Sequence, residues 1–239
     1  MLSFDDFKKL ANDPNLSPFE KVGFAAPHRQ ESEQNIFPDI LSKISLLNQH
    51  GKTVLDIGCG CSLPTFQLID YCKKMGSRLV LVDSEEMLSN LPDDSLIEKS
   101  NHEFPHSQSF IDKWSLQVDV IICYSVIHHI YLHQNLFTFI DKALSLLRDG
   151  GQMLIGDIPN FPKKKRFLSS EVGKAFHKKW SGEESPQINW LEPHDQIDDS
   201  LLIHLMLRYR SMGMETYLLP QKNGLPLNNT REDLLICKY

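Results

Sequence analysis

The chain lacks what several large protein classes require. Cysteine is scarce: five residues (Cys59, Cys61, Cys72, Cys123 and Cys237), an odd number without a disulfide framework's spacing, are read as reduced thiols of a cytoplasmic protein. No second C-x-C and no cluster of histidines accompanies Cys59 and Cys61, so no metal site is expected. No stretch approaches the about 18 uninterrupted apolar residues of a membrane span. The longest run, VIICYSVIHHIYL, is broken by two histidines, and no membrane partner is expected. The start, MLSFDDFKKLANDPN, carries acids where a signal peptide needs a cationic stretch and then an apolar one. A basic excess is missing as well: 25 Lys+Arg face 31 Asp+Glu, a formal charge of -6, which argues against nucleic acid as the partner.

What is present describes one soluble globular domain, or one with an appendage: 239 residues, 41% hydrophobic and 23% charged. Residues 1–50 hold helix-like stretches at 4–11 and 37–48 around an irregular segment, and are expected to form a helical cap. From Lys52 onward short apolar runs alternate with amphipathic segments. The runs at 53–57, 78–83, 118–124 and 151–157, with a weaker one at 95–99, are predicted strands. Helices are predicted at 64–75, 85–91, 109–114 and 134–147, and the glycine turn in RDGG (148–151) is expected to end the last of them. The strands are apolar continuously rather than alternately, as in a parallel sheet covered on both faces. Strict alternation of strand and helix gives a doubly wound α/β fold. GMETYLLP and TREDLLICKY then follow with only a loop between them, so they are expected to close the sheet as an antiparallel hairpin.

The first strand runs into VLDIGCGCSLP (54–64). A strand ending in a glycine turn that opens a helix presents free backbone N–H groups at the sheet's carboxyl edge. Gly58 and Gly60 permit a tight turn and close approach of a ligand. The pyrophosphate fingerprint G-x-G-x-x-G needs a glycine at position 63, where Leu63 stands. Asp56 would repel a diphosphate but suits a cationic, amine-bearing ligand. Asp83 closes the second strand 25 residues after Gly58, near the spacing at which an acid binds ribose hydroxyls. Ribose with a cationic amino acid and no diphosphate describes S-adenosylmethionine.

On these residues the sequence resembles the class I S-adenosylmethionine-dependent methyltransferases, over about residues 52–157 and the terminal hairpin. A seven-stranded Rossmann-like sheet and S-adenosyl-L-homocysteine as product are implied. DIGCG resembles the family's acidic glycine loop; Ser62 stands where a third glycine is common. VDVIICYSVIHHI resembles its fourth strand and turn, and LLRDGG the turn before strand five. The resemblance implies that Asp56, Gly58, Gly60 and Ser62 line the methionine end, with Asp56 reaching the amino group directly or through water. It implies Asp83 at the ribose, Ser84 and Met87 beside the adenine, one of His102, Glu103 or Phe104 flanking it, and Tyr124 and Ser125 facing the sulfonium.

The acceptor belongs beyond the carboxyl ends of the strands. His128 and His129 are candidate general bases, or else packed into their turn, and Asp157 ends strand five at the same edge. Residues 158–197 form a long insertion in the domain of residues 51–239 and are expected to act as an acceptor-side lid. Its cluster Lys163, Lys164, Lys165 and Arg166 reads as a phosphate site or as a solvated charge run; GDIPN…KKKRFLSSE also resembles methyltransferases of bacterial surface-glycan genes. Arg29 is a further candidate contact to a carboxylate. The expected function is methyl transfer to a small polar metabolite, a hydroxyl of a sugar or phosphate-bearing sugar. An RNA or protein methyltransferase and a non-catalytic cofactor-binding partner are the alternatives.

Overall fold

The computed structural model describes residues 2–24, 32–188 and 195–239. Seven strands form one sheet: β1 (Thr53–Ile57), β2 (Arg78–Asp83), β3 (Ile97–Asn101), β4 (Val118–Tyr124), β5 (Leu147–Pro159), β6 (Glu215–Pro220) and β7 (Arg231–Cys237). Their order is β3-β2-β1-β4-β5-β7-β6. β1 to β5 pair in parallel, and β7 joins antiparallel to both β5 and β6, as the sequence implies. The chain winds outward from β1 in one direction and resumes at β4 in the other. The crevice between β1 and β4 is therefore the topological switch point, where ligands of open α/β sheets bind.

The strands are apolar throughout because both faces are covered. On one face Leu55, Ile57, Val80, Ile121, Met153 and Ile155 pack against α6 (Gln108–Trp114), α7 (Ile127–His133), α8 (Leu136–Leu146) and α11 (Asp199–Ser211). On the other Val54, Leu79, Leu81, Val120, Ile122 and Leu154 meet α1 (Phe4–Asn12), α3 (Ile36–Lys43), α4 (Leu63–Lys74) and α5 (Glu85–Leu88). A short α2 (Pro18–Lys21) follows α1, and a 3-10 turn over Ser45–Asn48 continues α3.

The structure corrects three details of the sequence reading. The RDGG turn does not end a helix. Leu147 is already extended, so α8 stops at Leu146, and the glycines fall where the β4–β5 register shifts between Val118 and Val120. Residues 127–133 form a helix of their own, separated from β4 by Ser125 at φ +61. Among its described residues, the insertion 158–197 contains two helices, α9 (Phe161–Ser169) and α10 (Glu171–Ser181). Asn160 and Ser170 cap them, accepting from Lys163 N and Gly173 N.

Candidate functional site

A cleft lies over the carboxyl ends of β1, β2 and β4, with about 970 Å³ of empty volume, part of it open to solvent. Its floor is the turn after β1. Gly58 and Gly60 stand at φ +71 and +60, and a Cβ on them would fall 2.5 Å from Val126 Cγ2 and 2.7 Å from Val22 Cγ1. Only glycine fits that turn without strain or displacement. Asp83 holds it from the side: its carboxylate accepts the Gly60 N–H at 2.8 Å and the Ser84 N–H at 2.7 Å. Burial pushes the Asp83 carboxyl up to about 6 against the pull of those two bonds. Asp56 sits beneath the turn, lining a smaller cavity with Phe37, Thr65 and Tyr124. Burial, and then the charge of Asp83, push the Asp56 carboxyl up to about 8.

The cleft's outer side is aromatic. Met87, His102, Glu103 and Phe104 line it at one end, and Tyr124, Ser125 and His129 at the other. Phe104 is locked edge-on against Phe139 with centroids 5.2 Å apart. His102 lies 4.7 Å from the Phe110 ring, and burial holds its imidazole below the usual range. Glu103 accepts from Gln134 Nε2 at 2.7 Å. From above, α1 contributes Phe4 and Phe7. The Phe7 ring stands edge-on to His129 at 5.0 Å.

Eleven of the sequence's candidates therefore meet in one cleft: Gly58, Gly60, Ser62, Asp83, Met87, His102, Glu103, Phe104, Tyr124, Ser125 and His129. Ser84 lies in the adjoining groove, and its hydroxyl caps α5 by accepting Met87 N at 3.2 Å. The His128 ring lies 4.1 Å from that of His129, tilted by 41°; burial, then His129 and Arg231, push its imidazole down to about 3. Asp157 does not end strand five as expected: β5 runs on to Pro159, and Asp157 sits where its pairing with β7 shifts register between Ile155 and Ile158; the Ser125 hydroxyl donates to its carboxylate. The basic cluster is largely engaged within the chain. Lys163 Nζ donates to the Arg231 carbonyl at 2.6 Å, Arg166 forks onto Asp199, and Lys165 is buried over the Phe161 ring; Lys164 is exposed. Arg29 lies outside the described residues.

The sequence reading missed Phe4, Phe7, Val22 and Val126 as walls of the cleft. It also missed Gln221, Arg231 and Asp233 behind Asp157. Phe4 and Phe7 face the sheet from α1, whose capping box Ser3–Asp6 is legible in the sequence; the others belong to no local pattern.

These residues fit a sulfonium nucleoside. Asp83 holds each oxygen by one N–H bond and keeps lone pairs for a ribose diol, the aromatic end suits a purine face, and Asp56 favours an ammonium over a phosphate.

Residues 55–153 match the family model described as a methyltransferase domain. The chain is also similar to solved structures. The plantazolicin methyltransferase BamL, in complex with a triazolic desmethylPZN analog and SAH (S-adenosylhomocysteine), aligns with a TM-score of 0.60 at 14% identity, over 98% of this chain and 95% of that one. The plantazolicin methyltransferase BpumL in complex with SAH gives 0.57 at 16% identity, over 98% and 95%. The N-methyltransferase NodS from Bradyrhizobium japonicum WM9, with SAH, gives 0.57 at 14% identity, over 98% and 97%. No curated protein matches the sequence. Residues 55–153 thus match a methyltransferase domain, and the fold of the chain is the one these solved methyltransferases share.

Proposed function

We propose that the protein transfers a methyl group from S-adenosylmethionine to a hydroxyl of a small polar metabolite, a sugar or a phosphate-bearing sugar derivative. The observation that supports this reading is His129, which lines the cleft together with Tyr124 and Ser125 in a fixed tautomer. Its Nδ1 lies 3.1 Å from the Leu2 carbonyl oxygen, which can only accept. Nδ1 therefore carries the proton and Nε2 keeps its lone pair. Burial, the largest influence, holds this imidazole below the usual range, so it is neutral and able to take a proton at neutral pH.

The bound cofactor supplies an electrophilic methyl on sulfur. The chain's own part is mostly placement: Asp83 for the ribose, Asp56 for the amino group, and Tyr124 and Ser125 beside the reacting end. Phe4 and Phe7 exclude water from above. His129 then takes the proton of the attacking hydroxyl. The N-terminal helices are assigned the role of a cap and residues 158–197 that of an acceptor-side cover, where exposed Lys164 is available to a phosphate. Nothing among the described residues is a helix long and apolar enough to cross a membrane.

The test is methyl transfer to matched sugars with and without phosphate, using wild-type protein and His129→Gln. Transfer to either sugar that collapses in the variant while SAH still binds supports the reading. Transfer undiminished in His129→Gln removes the proposed base, and label only in RNA or protein removes the acceptor class.

A further inference from the structure

The imidazole of His129 is held by two groups from the start of the chain. α7 carries the residue, and its backbone N–H bonds the Val126 carbonyl at 2.9 Å. The ring itself meets the N-terminal cap. The Leu2 carbonyl accepts from Nδ1 at 3.1 Å, and the Phe7 ring stands edge-on at 5.0 Å with an interplanar angle of 88°.

Leu2 has a carbonyl to give because it stands just outside α1. The helix begins at Ser3, whose carbonyl takes the N–H groups of Asp6 and Phe7. Reciprocal bonds fix that start: Ser3 N donates to Asp6 Oδ2 at 3.0 Å, and Asp6 N to Ser3 Oγ at 3.3 Å. The far end of the cap is tied down at Asn90, just after α5. Its amide donates to the Ala11 carbonyl at 3.5 Å and accepts from Lys21 Nζ at 2.8 Å.

One residue sets how closely the two groups pack. Gly23 follows α2, and a Cβ there would fall 3.0 Å from Phe7 Cε1 and 3.2 Å from Leu2 Cδ1. Carbon atoms rest at about 3.5–4.0 Å, so a side chain at position 23 displaces Leu2 and Phe7 together. Gly23 itself is not among the residues that line the cleft.

We propose that Leu2, Phe7 and Gly23 are positioning residues for His129: the cap selects the tautomer in which Nδ1 carries the proton and Nε2 keeps its lone pair for the acceptor hydroxyl. A neutral imidazole left to itself divides between two tautomers, and only one of them takes a proton at Nε2. Phe4, Phe7 and Val22 of the same segment wall the cleft, so the element that shuts out water also completes the base. A cap moved aside leaves His129 without the carbonyl that fixes its proton. This inference rests on the reading of His129 as the base; it adds which residues, outside the sheet, make it one.

The experiment is long-range ¹H–¹⁵N correlation NMR of the SAH-loaded full chain at neutral pH, with the His129 signals assigned by their loss in His129→Gln. Wild-type protein is expected to show a neutral ring protonated at Nδ1. Phe7→Ala and Gly23→Ala are each expected to shift the tautomer ratio toward Nε2–H by roughly fivefold, the weight of one net hydrogen bond. Gly23 stands at φ +84, so Gly23→Ala also costs stability. Should it fail to fold, Phe7→Leu keeps an apolar side chain, loses the ring, and is expected to shift the ratio likewise. Leu144→Ala, a truncation of the buried core in α8, is expected to lower Tm and leave the ratio unchanged. A wild-type ring protonated at Nε2 or at both nitrogens overturns the seating. So does a ratio unchanged in the cap variants, or one shifted equally by Leu144→Ala. Methyl transfer undiminished in His129→Gln is a different result, which leaves the tautomer as found and overturns the reading of His129 as the base.

Discussion

Ser125, just past the end of β4, and Asp157, inside the neighbouring parallel strand β5, stand at φ +61 and +57 and are joined by a hydrogen bond from the serine hydroxyl to the aspartate. The chain is bent sharply at each of these residues, and the bend is locked across the two strands. Ser125→Gly relieves the backbone but removes the hydroxyl, whereas Ser125→Val removes the hydroxyl and adds a β-branched side chain at positive φ. Thermal unfolding is expected to place the valine variant about 1–2 kcal/mol below the glycine variant. Equal stability of the two would contradict the strain.

We propose Asp83 as the residue on which cofactor binding depends most. Asp83→Ala removes the partner of the Gly60 and Ser84 N–H groups as well as the acid offered to the ribose. Calorimetric titration with SAH is expected to show a loss of about 1.5–3 kcal/mol, roughly one to two orders of magnitude in Kd. Unchanged affinity would remove Asp83 from the site.

The pH dependence of stability follows from opposed groups. Asp83 and Asp56 have carboxyls raised to about 6 and about 8 in the folded chain from an ordinary 3.8. The folded state therefore holds more protons than the unfolded one above that ordinary value. Their contribution is full at acid pH and is lost as pH rises through about 6 and about 8. His128 works the other way: its imidazole is lowered from 6.5 to about 3, so its contribution is full above 6.5 and is lost as pH falls toward 3. In ligand-free protein, Asp56→Asn is expected to flatten the decline of Tm from roughly pH 5 to 8. A wild-type slope in that variant contradicts the placement of Asp56.

The same carboxyl links binding to protons. A ligand ammonium beside Asp56 favours its ionised form, so SAH binding near neutral pH should release protons. Titration in buffers of different ionisation enthalpy measures this directly. The release is expected to fall in Asp56→Asn, and a release unaltered by that change would mean that the amino group lies elsewhere.

Much of this was legible in the sequence for identifiable reasons. β1, β2 and β4 are buried on both faces and so are written as unbroken apolar runs, and Gly58 and Gly60 mark a turn that only glycine fits. The helix over 127–133 was not legible, because VIICYSVIHHIYL carries apolar residues straight from strand into helix. The break is Ser125, a residue type that rarely signals positive φ. α9 was hidden by its lysines, although Asn160 is a readable cap. The cluster behind Asp157 was out of reach for another reason. Lys43 and Asp233 are 190 residues apart, and Gln221 lies in a segment with no motif.

The most direct test of the central claim is transfer of labelled methyl from S-adenosylmethionine into a lysate metabolite pool, followed by fractionation. Label should appear among small polar molecules with the wild-type protein and be lost with Asp83→Ala. Label confined to RNA or protein, or equal labelling by the Asp83→Ala protein, would contradict methyl transfer to a small acceptor at this cleft.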